Sequence, residues 1–84
     1  MSNQAWEKMA KLCEAGFQSC PFKDELVSLC SNQEDIACVV YYHNRDNSLN
    51  WMNNKVPALK GKTPASCFPA NVNLLKQILL AFPC

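Results

Sequence analysis

Three features of the 84-residue chain predict an all-α fold, a compact single domain of five or six short helices. Apolar residues recur at three- and four-residue spacing in several short segments. Helix-start residues (Ser, Thr, Asp or Asn, with Pro or acids close behind) stand ahead of those segments. Extended-strand propensity is confined to residues 39–42, too little for a sheet.

Composition bounds the rest. Hydrophobic residues make up 49% and charged residues 18%, a balance that excludes disorder. A chain this short buries a modest core, so its stability margin is small or is supplemented by a partner. The net charge is only +1, which gives no global case for nucleic-acid binding. The charge is unevenly spread. Residues 1–46 hold all seven acids (Glu7, Glu14, Asp24, Glu25, Glu34, Asp35, Asp46), and residues 47–84 hold four lysines (Lys55, Lys60, Lys62, Lys76) and no acid. The halves can complement each other on folding, or the basic half can face an acidic partner or a phosphate.

Six cysteines stand at 13, 20, 30, 38, 67 and 84. No Cys-x-x-Cys spacing points to zinc, and no secretory leader is visible in MSNQAWEKMAKLC. The expectation is of reduced, mostly buried thiols in a cytoplasmic protein, with Cys84 the most exposed. The longest apolar run, 78–82, is far too short to span a membrane.

The first helix is expected over 3–15, capped by Ser2 or Asn3 and ended at Gly16, with Ala5, Trp6, Met9, Ala10 and Cys13 inward. Ser19-Cys20-Pro21 opens a second, with Asp24 and Glu25 at its positive end and Phe22, Leu26, Leu29 and Cys30 buried. Ser31 and Glu34 fit a capping box for a third, whose inner face is Ile36, Ala37, Val39, Val40 and Tyr41. His43 to Ser48 reads as a polar turn with a solvated His43; Asp46 or Asn47 caps a fourth helix carrying Leu49, Trp51 and Met52. A short fifth spans 63–68 and is broken by Pro69. Asn71 caps the last, with Val72, Leu75, Ile78 and Leu79 inward and Leu74, Leu80 and Phe82 left as apolar surface.

The chain turns on residues 51–64, WMNNKVPALKGKTP. Trp51 and Met52 are anchors, Pro57 stops a helix, Gly61 supplies a left-handed turn after Leu59, and Thr63-Pro64 opens the next helix. Local chemistry alone makes this a helix–loop–helix corner. The spacing of Trp51, Pro57, Leu59, Gly61, Thr63 and Pro64, followed by the Leu/Ile-rich segment Val72, Leu74, Leu75, Ile78, Leu79, resembles the toxin-binding C-terminal domain of Xre/ParS-type bacterial antitoxins over about 48–80. Lys55 and Val56 stand where that family often has Pro-Asn. The resemblance divides the domain into divergent N-terminal helices (1–46) and an antitoxin-like helix–corner–helix region (47–84). It implies a protein that binds a toxin, commonly a RES-domain NAD-consuming enzyme, and covers its active site. The six motif residues are then scaffold. Exposure and charge, rather than the motif, nominate Lys60, Lys62, Lys76, Leu80 and Phe82 as partner contacts.

No catalytic constellation is legible. His43 is the single histidine, no spacing pairs it with Cys38 or Cys67, and two glycines make no phosphate loop. The expectations are therefore no catalysis, no cofactor, no metal, no membrane association and no sequence-specific DNA binding, since 1–46 is short for a helix-turn-helix domain and net acidic. A second reading is a phage or mobile-element inhibitor acting by surface mimicry, with Asp24, Glu25, Glu34 and Asp35 on one face; a third is a self-associating module that forms a homodimer through its apolar C-terminal tail.

Overall fold

The computed structural model describes residues 4–68 and 70–81. Five α-helices follow one another: α1 (Gln4–Phe17), α2 (Lys23–Leu29), α3 (Glu34–Asn44), α4 (Ser48–Asn53) and α5 (Val72–Ala81). Three 3-10 turns join them, Arg45–Asn47, Pro57–Leu59 and Pro64–Cys67. The expected all-α class holds, and residues 39–42 are helical. The radius of gyration, 11.7 Å, matches the roughly 12 Å of one compact body of this length.

α3 is the axis. Ile36 through Tyr41 are all buried, six consecutive residues that cover every side of a helix. A helix apolar all round must be enclosed, and α1, α2, α4 and α5 all pack on it. The inner stripe of α1 is Trp6, Ala10, Cys13 and Phe17; Ala5, assigned to that stripe, is exposed, and Met9 is half-buried. Gly16 does not end α1. The helix runs one residue further, because that places Phe17 at zero exposure, edge-on to Tyr41 at 6.2 Å between ring centroids.

The start signals are shifted in three places. α2 begins at Lys23, with Phe22 rather than Ser19 at its N-cap position and Pro21 in the preceding turn. The Ser31–Glu34 capping box does not form. Ser31 and Asn32 take left-handed backbone (φ 56° and 63°) to close α2, and Asn32 N–H donates to the Val27 carbonyl at 2.9 Å. Gln33 therefore occupies the N-cap of α3, with no side-chain cap bond. Asn47 sits at the N-cap of α4, but its Oδ1 accepts from Asn50 Nδ2 at 3.3 Å instead of capping. The buried Ser48 hydroxyl, donating to the Arg45 carbonyl at 2.6 Å, ties this junction. The fifth helix expected at 63–68 is the shorter 3-10 turn Pro64–Cys67. Ser2, Asn3, Pro69, Phe82 and Cys84, which carried expectations about caps, a break, a contact and a thiol, lie outside the described residues.

Candidate functional site

The corner between α4 and α5 is held from inside. Leu59 and Pro64 are fully buried, and Met52, at the end of α4, shares that core. Of the two expected anchors Met52 is the deeper; Trp51 is half-buried at the core's edge. Val56 and Lys62 form an isolated antiparallel bridge, with Val56 N–H donating to the Lys62 carbonyl at 3.0 Å. Between them Pro57–Leu59 winds one 3-10 turn, and Lys60 and Gly61 reverse the chain with φ of 59° and 81°. Gly61 suits the left-handed region, where a side chain costs energy. Lys60 occupies it despite its Cβ, a placement no local signal foretells. Thr63 caps as expected: its Oγ1 accepts from Ser66 N–H at 3.3 Å, and Ser66 Oγ donates to the Thr63 carbonyl at 2.7 Å.

This staple presents cations. Lys55, Lys60 and Lys62 are exposed on the loop that Leu59 pins. The other nominated contacts sit differently. Lys76 is half-buried, its Nζ 5.4 Å from the Trp6 ring centroid, so it packs across to α1. Leu80 is 39% exposed. Leu74, expected on the surface, is half-buried against the core. The structure thus gathers Lys60 and Lys62 at the corner and places Lys76 against the first helix.

Two hollows carry acids. Glu7 and Glu14 of α1 meet Glu34 and Asp35 of α3 around a cleft of about 370 Å³ floored by Trp6, Ala10 and Cys38, with Lys11 at its edge. Asp24 and Glu25 line a separate hollow at the head of α2, with Cys20, Pro21, Phe22 and Lys23. The four acids proposed for mimicry are therefore divided between the two. Glu7 and Glu14, which sequence reasoning left unassigned, stand seven residues apart, two helical turns on one face; that spacing was the available signal.

Among the described residues, Cys13, Cys20, Cys30, Cys38 and Cys67 are all buried. Burial, and then the Asp35 charge, pushes the Cys30 thiol up to about 12. Burial also pushes Cys38 to about 12, followed by the charges of Glu34 and Glu14. Such thiols stay protonated and are poor nucleophiles. His43 is not in a solvated loop. It lies in the last turn of α3, half-buried; burial lowers its pKa, and a backbone hydrogen bond with Leu79 raises it in part. Among the described residues no three His, Cys, Asp or Glu side chains gather to hold a metal, and no helix is long and apolar enough to cross a membrane.

A scan against protein-family models and searches of curated proteins and of solved structures each found no match.

Proposed function

We propose that the chain is a non-enzymatic, antitoxin-like binding module that neutralises a partner enzyme by covering its active site. The observation that carries this reading is the corner: buried Leu59 and Pro64, turned by Gly61 and capped by Thr63, hold Lys60 and Lys62 outward in a half of the chain that has no acid. A preformed loop loses little entropy on binding, and its lysines steer an acidic site into register. The resemblance of Trp51, Pro57, Leu59, Gly61, Thr63 and Pro64 to the antitoxin pattern directs the choice of partner to RES-type NAD-consuming enzymes.

The test is capture of the tagged chain with its partner from the native host, followed by an NAD-consumption assay of the captured enzyme. One stoichiometric enzyme, inhibited by the chain and released from its Lys60→Glu/Lys62→Glu variant, is the expected result. A captured enzyme inhibited equally by the variant would remove the corner from the interface. An enzyme with no NAD-consuming activity would remove the RES assignment.

Inhibition by mimicry draws on a different set of residues from that first nominated. Glu7, Glu14, Glu34 and Asp35, rather than Asp24 and Glu25, surround one cleft, an arrangement that fits a basic groove on a host protein. A host nucleic-acid-binding protein captured by the native chain and lost with Glu7→Lys/Glu14→Lys would favour it.

A further inference from the structure

Leu12 is the most exposed large apolar side chain among the described residues, at 79%. It stands on α1 between two adjoining hollows. One, of about 120 Å³, is walled by Met9, Leu12, Cys13 and Tyr42; the other, of about 320 Å³, by Lys8, Lys11 and Leu12. Tyr42, 40% exposed, is the next most exposed large apolar residue, so two of the three most exposed apolar side chains share this face. The Arg45 guanidinium lies 5.6 Å from the Tyr42 ring centroid and adds a third cation to Lys8 and Lys11. No carboxylate lines either hollow, whereas Glu7 and Glu14 of the same helix line the cleft toward α3. The acids of α1 thus face the cleft toward α3, Lys11 stands between that cleft and the Leu12 patch, and Lys8 edges the patch alone.

We propose that this patch docks an acidic amphipathic helix from a protein partner. One apolar side chain of that helix fills the Met9–Leu12–Cys13–Tyr42 hollow, and its carboxylates meet Lys8, Lys11 and Arg45. An apolar centre with a charged rim is the usual anatomy of a groove for an amphipathic helix, and complementary charge fixes orientation and speeds encounter. Two lysines beside Leu12, with Arg45 against Tyr42, suit carboxylates on a helix better than a nucleic-acid backbone, which finds no use for the apolar centre. A second copy is disfavoured by charge, because the same face on it also carries Lys8 and Lys11 and no carboxylate lines either hollow. The patch shares no residue with the Lys60–Lys62 corner, and the inference stands independently of what that corner binds.

The test uses the full isotope-labelled chain and a designed helical peptide with Leu at every third or fourth position and Glu flanking, followed by NMR shifts and fluorescence anisotropy. The expected result is saturable binding with shifts centred on Met9, Leu12 and Tyr42. Leu12→Glu weakens it at least about tenfold, as for a central contact. Lys60→Glu/Lys62→Glu leaves it unchanged, and the same peptide with Lys in place of Glu binds far more weakly. Leu12 supports nothing in the core, so the variant keeps its fold. Shifts centred elsewhere, or a Leu12→Glu chain that binds as well as the native one, would overturn the proposal. So would a dimer in sedimentation, or binding to phosphatidylserine vesicles, that Leu12→Glu abolishes, because either assigns the face to another occupant.

Discussion

The Trp6 indole donates its Nε1 hydrogen to Asp35 Oδ2 at 2.8 Å, joining the first helix to the third across 29 residues of sequence. The face of the same ring lies under Lys76 Nζ, which brings in α5. One side chain, 4% exposed, therefore bonds a carboxylate through its edge and a cation through its face. Trp6→Phe keeps a ring and removes the donor. It should lower the unfolding free energy by about 1 kcal/mol in urea titration, the net worth of one hydrogen bond, because water can reach the half-buried Asp35. Trp6→Ala should cost about 3–5 kcal/mol. A Trp6→Phe chain as stable as the native one would show that the indole nitrogen contributes nothing.

The buried thiols set an alkaline limit. Cys30 and Cys38 titrate near 12 in the fold against an ordinary 9.0. Below pH 9 both folded and unfolded chains carry neutral thiols, and this stabilisation is complete. From pH 9 toward 12 the unfolded chain loses protons that the folded chain keeps, so stability falls as pH rises. The urea midpoint should decline steadily above pH 9, and a Cys30→Ala/Cys38→Ala variant should decline less. At pH 8 a thiol reagent should label Cys13, Cys20, Cys30, Cys38 and Cys67 slowly in the native chain and quickly in urea. A midpoint flat between pH 9 and 11 would contradict the buried placement of Cys30 and Cys38.

His43 sets a milder acid limit. Burial holds its folded pKa below the ordinary 6.5. Above 6.5 the ring is neutral in both states; as pH falls below that value the unfolded chain takes up a proton first, and stability is lost down to the folded pKa. The loss between pH 7 and 5.5 should vanish in His43→Gln. Persistence of the same slope in that variant would assign it to other groups.

The corner separates backbone from cap. A Cβ on Gly61 meets nothing within 4 Å, yet φ is +81°. Gly61→Ala should therefore cost about 1 kcal/mol through backbone strain alone. Thr63→Ala should cost about 0.5 kcal/mol, the low end for a lost cap, because the Ser66 N–H keeps its bond to the Thr63 carbonyl at 3.0 Å. Lys60→Glu/Lys62→Glu, on exposed side chains, should stay within about 0.5 kcal/mol of the native chain in thermal denaturation. A large loss there would mean that the lysines hold the loop rather than a partner.

How far the sequence could be read depended on the range of the interaction. The helical stripes were legible because burial repeats along the chain: Leu26, Met52, Leu75 and Leu79 fall where periodicity puts them. Turn chemistry was legible where one residue decides it, as at Gly61 and Thr63. It failed where tertiary packing outweighed a local signal. Phe17 carries α1 through Gly16, and two left-handed residues at Ser31 and Asn32 replace a capping box. His43 was misplaced because the run HNRDNS is polar, while α3 continues through His43 to Asn44. Lys76 illustrates the same limit for the candidate contacts, since no local pattern places it over a tryptophan 70 positions earlier. The acidic cleft and the Leu12 face depend on which helices meet, and sequence spacing alone holds half of that information.

The enclosure of α3 has a consequence for synthesis. The middle helix emerges from the ribosome before α4 and α5, the elements that cover part of its surface, and Leu75 and Leu79 add the α5 side of the core after it. Until α5 arrives, the nascent chain holds an apolar helix with an open side. A pause or truncation before residue 72 would leave that apolar side open to chaperones and proteases.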